Sequence, residues 1–585
     1  MLDIEQSLSA KFPAFARQRP IVRDSTLGVL RKLVREAEIN AFLHEHQGQE
    51  GTSFIDRIFE HFDFGYSTSQ RERDNIPAQG RVLIIANHPV GSLDGLALLR
   101  LVSEVRRDVR IVANDMLMAF APLRELLLPL DNLGQASHRQ SYRAIVQALA
   151  DDQAVIIFPA GEVSRAGPKG IRDGAWRGGF LHFARKSGAP LLPVHIDARN
   201  SLLFYGASML FKPFATLLLA HEMFNKRSAE IRLRVGEVIP NRVLAPGRLA
   251  DKQLIRRLKK HLYRVGKRDK AIFVTEKALA PAEDRAILAK EFGGAQLLGQ
   301  TADRHAIHLC DHDSQPAVLR EVGRLREQAF RRVGAGTGRR RDLDRYDRYY
   351  RHLVLWDEGR QCVAGAYRLG EATRIVPDRG AQALYTAELF EFGPAFDAYL
   401  AQGLELGRSF VHPDYWGLAS LDYLWQGLGA YLRHHPEVRY VFGPVSLSAS
   451  CPKALRDLLV YYYERYYRRH LPGSAQALAT GRRPYRIDDE VAASLRSRFD
   501  GLDAAQGFAL VQQAFRGAEC KIPPLFKQYA GLYEAGGYEA IDFSVDVDFG
   551  DCVDGLFVGD LQRMKRAKRA RYFGAPESPA VCVLA

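Results

Sequence analysis

Arg81-Val-Leu-Ile-Ile-Ala-Asn-His-Pro-Val-Gly-Ser-Leu-Asp-Gly-Leu-Ala-Leu98 decides how the first half of this chain is read. Val82 to Ala86 is a short, branched apolar run ended by polar residues, the pattern of a strand buried on both faces of a sheet. Such a strand delivers Asn87 and His88 to its C-terminal edge, where open α/β sheets bind their ligands. Asp94 follows closely enough to orient the imidazole and to stabilise it once protonated. Taken alone, a His with an Asp just beyond it is more often a capping or surface pair, so the catalytic reading depends on its surroundings.

Outward from this stretch the chain alternates apolar runs with amphipathic ones. Strands are expected at Val82 to Ala86, Val109 to Ala113, Ala154 to Phe158, Leu191 to Ile196 and Ile231 to Val238. Helices are expected at Leu93 to Glu104, Arg139 to Ala150 and Gly174 to Lys186, giving an α/β layout. After the third strand comes Phe158-Pro-Ala-Gly-Glu-Val-Ser-Arg165, a turn in which Gly161 lets backbone amides approach a ligand while Glu162, Ser164 and Arg165 offer polar contacts. The next strand is bracketed by proline in Pro190-Leu-Leu-Pro-Val-His195.

In this order the elements resemble the glycerolipid acyltransferase family, whose motifs are NHxxxxD, FPEGTRS and a proline-bounded apolar strand; the resemblance covers about 75–245. Two departures stand out. Five residues rather than four separate His88 from Asp94, which alters how the carboxylate reaches the ring, and Ala160 replaces the motif glutamate, for which Glu162 is the available substitute. The resemblance implies His88 as the base that deprotonates an attacking hydroxyl, Asp94 as its partner, and Asn87, Gly161, Glu162 and Arg165, with Lys169, around the substrate. No covalent acyl-enzyme is required, and no Ser lies in a nucleophile-elbow sequence.

At 585 residues the chain is too long for one core, and its 47% hydrophobic and 26% charged content is that of folded domains. Its opening residues lack the apolar core of an export signal. The six cysteines are scattered without CxxC or partnered His spacing, so neither a metal site nor a disulfide framework is indicated. A net charge of +14 implies an anionic partner. The basic stretch Arg256 to Lys270 carries Leu254, Leu258 and Leu262 at four-residue spacing and reads as a basic amphipathic helix, and Arg563 to Arg571 holds six bases and no acid. No nucleic-acid signature accompanies them. Ser201 to Ala220 is apolar but broken by Lys212-Pro213, which suggests a chain lying on an anionic membrane surface rather than crossing it.

In the second half, Leu325-Arg326-Glu-Gln-Ala-Phe330 precedes a Gly- and Arg-rich loop and Asp342-Leu-Asp-Arg-Tyr-Asp347. Strands at His352 to Trp356 and Val363 to Leu369, the stretch Leu404-Glu-Leu-Gly-Arg408, a helix at Leu418 to His434 and a strand at Val438 to Val445 follow. This succession resembles the GNAT acyltransferases, in the branch of ornithine N-acyltransferases and acyl-homoserine-lactone synthases, over about 295–560. Matching positions are Arg326 and Phe330 (RxxxF), Asp344 and Asp347 (DxxD), Arg368, and Glu405 with Arg408 (ExxR). The resemblance implies Glu405 as the base for an amine nucleophile, directly or through water, and Asp344 and Asp347 as holders of its cationic groups. A bland alternative is that Arg326, Asp344, Asp347 and Arg368 form an exposed salt-bridge network. Only Gly417 stands where acetyl-CoA-dependent members carry a Gly-rich pyrophosphate loop, which favours acyl carrier protein as donor, drawn to a basic surface such as Arg339 to Arg341.

The expected organisation is a helical segment over 1–75, an acyltransferase-type αβ sheet domain over 76–285 and a GNAT-type α+β domain over 286–585. Such a fusion resembles bifunctional ornithine lipid synthases. That implies N-acylation of ornithine with a 3-hydroxyacyl chain in the second domain and O-acylation of the resulting lyso-lipid in the first. Both acyl groups would come from acyl carrier protein or CoA thioesters, with no cofactor, at the inner face of a bacterial cytoplasmic membrane. Acylation of another amino acid or a lysophospholipid, and a non-catalytic basic tether, are the rival readings.

Overall fold

The computed structural model describes residue 5 and residues 20–574, apart from 114–119, 130–134, 168–169, 202–203, 206–221, 223, 225–228, 248, 302, 418, 469–477 and 519. The apolar stretch Ser201 to Ala220 and Lys169 therefore lie largely or wholly outside the described residues. The chain divides into two compact units, Met1–Ala278 and Leu279–Ala585.

The first unit is built on seven strands: β1 (Gly65–Ser67), β2 (Val82–Ala86), β3 (Val109–Ala113), β4 (Leu127–Pro129), β5 (Ala154–Ile157), β6 (Leu191–Asp197) and β7 (Glu230–Val235). Their order across the sheet is β1-β7-β6-β2-β5-β3-β4, and only the β6/β7 pair is antiparallel. β2 is thus central, and all five of its residues are buried, as the unbroken run VLIIA requires. Val82, Ile84 and Ala86 face a core shared with helices Gly51–Phe62 and Ser92–Ser103, while Leu83 and Ile85 face helices Gln135–Ala150, Gly179–Ser187 and Asp251–Lys267.

The basic helix Asp251–Lys267 spends its leucines in this core: Leu254, Leu258 and Leu262 are buried, and Arg256 and Arg257 are exposed. Its apolar stripe is therefore not available for insertion into a bilayer. Among the described residues no helix is long and apolar enough to cross a membrane. The second basic run is also partly spent on the fold, since Arg571 pairs with Asp422 at 2.7 Å and Arg563 and Arg569 donate to backbone carbonyls.

The second unit holds β8 (Gln296–Gln300), β9 (His305–Cys310), β10 (Arg351–Asp357), β11 (Cys362–Glu371), β12 (Phe390–Phe392), β13 (Gly403–Val411), β14 (Tyr440–Leu447), β15 (Ala479–Gly481), β16 (Tyr538–Asp546) and β17 (Cys552–Asp560). Eight of these form one sheet in the order β16-β17-β14-β13-β11-β10-β9-β8, and β12 and β15 make a separate ribbon. Every neighbouring pair in the large sheet is antiparallel except β13/β14. That parallel pair is in register only from Gly403↔Tyr440 to Glu405↔Phe442, although both strands run on. Beyond Glu405 the sheet is split. Alternation along β17 separates its two sides: Phe557 enters the core containing Tyr538 and the Ser420–Arg433 helix, and Leu556 and Val558 enter a second core with Phe442, Tyr350 and Tyr385.

Candidate functional sites

The first site lies at the C-terminal edge of β2. His88 follows the strand directly, its ring stacked on Phe158 of the FPAG turn with centroids 4.1 Å apart. Asp94 sits in the first turn of the Ser92–Ser103 helix, fully buried, with Oδ2 3.2 Å from His88 Nδ1. The same oxygen accepts the backbone N–H groups of Val90 (2.7 Å) and Gly91 (3.0 Å). The imidazole contact is an ion-pair distance without an aligned N–H. Within the five-residue interval between His88 and Asp94 the chain turns at Gly91, whose φ of 107° and ψ of −132° lie in a region that side-chain-bearing residues avoid.

Asp173 organises the rest, and nothing in the sequence distinguishes it from a turn aspartate before glycine. Its Oδ1 accepts the His88 backbone N–H (3.2 Å) and the Ser164 hydroxyl (2.6 Å), and its Oδ2 accepts Trp176 Nε1 (2.9 Å). Ser164 N–H in turn donates to the His88 carbonyl at 2.7 Å. One carboxylate therefore locks the histidine segment to the FPAGEVSR turn. Lys259 Nζ donates to the carbonyls of Asp173 and Gly174, and burial lowers its pKa.

Of the residues expected near substrate, Gly161 turns the chain with φ 67°, and Glu162 and Arg165 lie 3.4 Å from one another beside it. Asn87 does something else. Its amide is fully engaged with β6, donating to the Ile196 carbonyl (2.9 Å) and accepting the Ile196 N–H (2.8 Å). It fastens the β2 edge to β6 rather than facing a ligand.

The second site surrounds the split between β13 and β14. Arg326, the arginine of RxxxF, is 1% exposed; it bonds Asp342 Oδ2 at 2.9 Å and both oxygens of Asp347 at 3.2 and 3.1 Å. Arg368 meets Asp344 Oδ1 at 2.7 Å and Asp347 Oδ1 at 3.3 Å, under the rings of Tyr346, Tyr350 and Tyr385. Arg408 Nε lies 3.4 Å from Asp342 Oδ2. The network is thus buried, not exposed. Burial alone would raise the Asp347 pKa, but the guanidiniums of Arg326 and Arg368 reverse this and hold its carboxyl well below the usual range. Asp347 is committed to those arginines, which leaves Asp344, 21% exposed, as the DxxD carboxylate with room for a ligand.

Glu405 is also fully buried, and its oxygens are already taken. Oε1 accepts Thr386 N–H (2.6 Å) and hydroxyl (2.5 Å), and Oε2 accepts the Tyr350 hydroxyl and Tyr385 N–H (3.3 Å). Burial raises its pKa against the opposing pull of these donors. With the Tyr385 N–H shared between Glu405 and the Tyr350 hydroxyl oxygen (2.9 Å), Glu405 as found anchors Tyr350 and the Tyr385–Thr386 turn.

Arg408 carries φ 50° within a strand, a strained conformation for a non-glycine residue, and its guanidinium lies 4.7 Å from the ring centres of both Tyr385 and Phe549. Phe549 packs edge-on against Phe330 of RxxxF at 5.1 Å. Across the gap, Gly443 of β14 has φ 157°, and a Cβ there would lie 2.1 Å from the Leu406 carbonyl oxygen. Gly443→Ala is expected to destabilise the unit by about 1–3 kcal/mol through overpacking against backbone, read as a lower unfolding midpoint. On the other side of the split sheet an aromatic cavity is lined by Tyr367, Trp425, Tyr529, Tyr533, Tyr538 and Phe557 and reaches Gly407, Arg408 and Pro444. Tyr367 and Tyr529 share a hydrogen bond of 2.6 Å, whereas the buried hydroxyls of Tyr533 and Tyr538 have no partner among the described residues.

Comparison with known proteins finds an acyltransferase family in each half of the chain. Residues 6–269 match the acyltransferase family model, and 325–426 match the acetyltransferase (GNAT) domain model. The chain is 30% identical over 312 residues to a glycine N(alpha)-acyltransferase of Bacteroides thetaiotaomicron, covering 51% of this chain and 89% of that protein. It is 30% identical over 247 residues to a lyso-glycine lipid O-acyltransferase of Phocaeicola vulgatus (41% and 86%), and 30% identical over 267 residues to an L-ornithine N(alpha)-acyltransferase of Rhodobacter capsulatus (43% and 90%). The reading as a non-catalytic tether falls with these relatives. The chain is an acyltransferase that belongs to two families at once, with an acyltransferase domain in its N-terminal half fused to a GNAT domain in its C-terminal half.

Proposed function

We propose that this chain is a bifunctional aminolipid synthase that carries out two successive thioester-dependent acyl transfers. In the second unit an amino acid is N-acylated with a 3-hydroxyacyl chain; in the first unit the 3-hydroxyl of that lyso-lipid is O-acylated. The observation that carries this reading is the split between β13 and β14, with an aromatic cavity on one side and charged groups on the other. A thioester entering from the cavity side meets an amino acid held from the charged side. The unpartnered hydroxyls of Tyr533 and Tyr538 support a hydroxylated chain, because buried polar groups without partners are costly unless a ligand supplies them. Arg408, Asp344 and Arg368 hold the polar head of the amino acid, and Glu405, with Arg326 and Asp347 beneath, keeps Tyr350 and Tyr385 in place.

In the first unit His88 takes the proton of the lyso-lipid hydroxyl as it attacks the second thioester. Asp94 offsets the imidazolium charge, and the Gly161 turn with Glu162 and Arg165 receives the acceptor's polar part. Ornithine is the proposed acceptor, since Asp344, the carboxylate of the network with room for a ligand, suits a second ammonium group. Glycine is the second reading, favoured by the relatives named for glycine and lyso-glycine lipid at 30% identity. Acyl carrier protein is the proposed donor, and exposed Arg256 and Arg257 would draw the protein reversibly to the anionic inner face of the cytoplasmic membrane.

Expression in a bacterium that makes no aminolipids, with isotope-labelled ornithine or glycine supplied and lipids analysed by mass spectrometry, tests this. A new diacylated lipid carrying labelled ornithine is expected. Labelled glycine in that lipid selects the second reading, and an unchanged lipid profile refutes both.

A further inference from the structure

Acyl transfer to an amine requires that a proton leave the ammonium form before attack, and the buried carboxylates around the split are mostly committed elsewhere. Glu405 holds four donors, Asp347 holds Arg326 and Arg368, and Asp342 is bonded to Arg326. Asp546 accepts the Tyr385 hydroxyl at 3.2 Å and the N–H groups of Asp548 and Phe549. Asp554 differs from all of these. It lies on β17 opposite Ser446 of β14, 1% exposed, and accepts the Ser446 hydroxyl at 2.5 Å through Oδ1. Its other oxygen, Oδ2, is buried without a partner among the described residues.

Its position also fits. Residues 554, 556 and 558 alternate with Phe557, so Asp554 is on the sheet side of Tyr385 and Phe442, opposite the aromatic cavity. The charged and titratable groups that act on it are Asp546 from β16 and Arg408 from β13, with Tyr385 and Cys552 nearby. Burial pushes the Asp554 carboxyl up to about 7; the Ser446 hydrogen bond opposes this, Asp546 adds to it and Arg408 opposes it. A base that titrates near neutrality is well matched to proton transfer at working pH.

We propose that Asp554 is the proton acceptor of N-acyl transfer, receiving a proton from the acceptor's ammonium group at Oδ2. The proposal rests on reading the second unit as an amino-acid N-acyltransferase. The Asp554 carboxylate takes one of the three ammonium protons, and the freed lone pair attacks the thioester carbonyl to form the C–N bond. Collapse of the tetrahedral adduct breaks the C–S bond. The departing thiolate takes the second nitrogen proton, the third remains on the amide, and Asp554 passes its proton to water.

The test uses the full chain with a 3-hydroxyacyl thioester and ornithine or glycine, following lyso-lipid formation against pH. Asp554→Asn is expected to lower kcat about 100-fold or more while leaving the KM for the amino acid nearly unchanged. It should also remove the acid limb near pH 7 and raise the unfolding midpoint at neutral pH, because a buried charge becomes a neutral isostere that keeps the Ser446 hydrogen bond. Ser446→Ala retains the base but removes its donor, and is expected to move the acid limb to higher pH. An Asn variant with the intact rate and profile, or an acid limb unmoved in Ser446→Ala, overturns the proposal while N-acylation by the intact chain persists. No N-acylation by the intact chain overturns the functional reading as well.

Discussion

Replacing His88 with alanine is expected to abolish the O-acylation proposed for the first unit and leave the proposed N-acylation intact, so that lyso-lipid accumulates. The loss should be about 100- to 10,000-fold in the rate of O-acyl transfer, the span that a positioned general base contributes. The geometry makes His88 hard to replace. Its backbone is held by Asp173 and Ser164, its ring lies on Phe158, and Asp94 waits 3.2 Å from Nδ1. Removing the ring leaves the backbone bonds in place, so the effect should appear chiefly in kcat. Purified chain, a labelled acyl thioester and lyso-lipid suffice to measure it. A His88→Ala protein that still makes diacylated lipid at the normal rate would remove the imidazole from the mechanism.

The largest stability effect is expected at Asp347. Asp347→Ala leaves the guanidiniums of Arg326 and Arg368, each 1% exposed, without their shared carboxylate. Breaking a buried pair in this way costs about 3–5 kcal/mol, because a charge stays desolvated and uncompensated. An exposed pair such as Arg345 with Glu388, 66% and 45% exposed, should contribute only about 0–1 kcal/mol. The pH dependence follows from the sign of the shift. The Asp347 carboxyl titrates well below its ordinary value in the folded unit, so its contribution is complete above the unfolded value near ~4 and is lost as pH falls below that. Denaturant unfolding of Asp347→Ala and the intact chain at neutral pH, repeated toward pH 3, checks both parts; equal midpoints at neutral pH would refute the burial argument.

The strands most legible in the sequence are short runs rich in branched apolar residues. Val82–Ala86 and Val109–Ala113 have the bounds that their composition gives, and the helix expected from Leu93 begins at Ser92. β9 was not legible, because His305 and His308 interrupt HAIHLC and only the folded unit shows that His308 is 7% exposed beside Phe292. Motif residues were found but not always their duties. Arg326, Asp347 and Arg368 lie far apart in sequence, and whether such charges pair with one another or with a substrate depends on long-range register. The bonding of Asn87 and Glu405 is out of reach of the sequence for the same reason, since their partners are the backbone of Ile196 and the Tyr385–Thr386 turn. Asp173 and Asp554 gave no local signal at all; an aspartate beside glycine reads as a turn until burial is known.

Gly91 has a consequence for how such chains diverge. With no Cβ, and with φ of 107°, it turns the five-residue interval between His88 and Asp94 while the two side chains still meet. A side chain at this position would have to adopt a conformation that favours glycine, so the meeting of the pair across this longer interval depends on Gly91. A search that fixes the interval between histidine and aspartate would pass over chains like this one, whereas one that asks for the glycine and a helix beginning just after it would retain them.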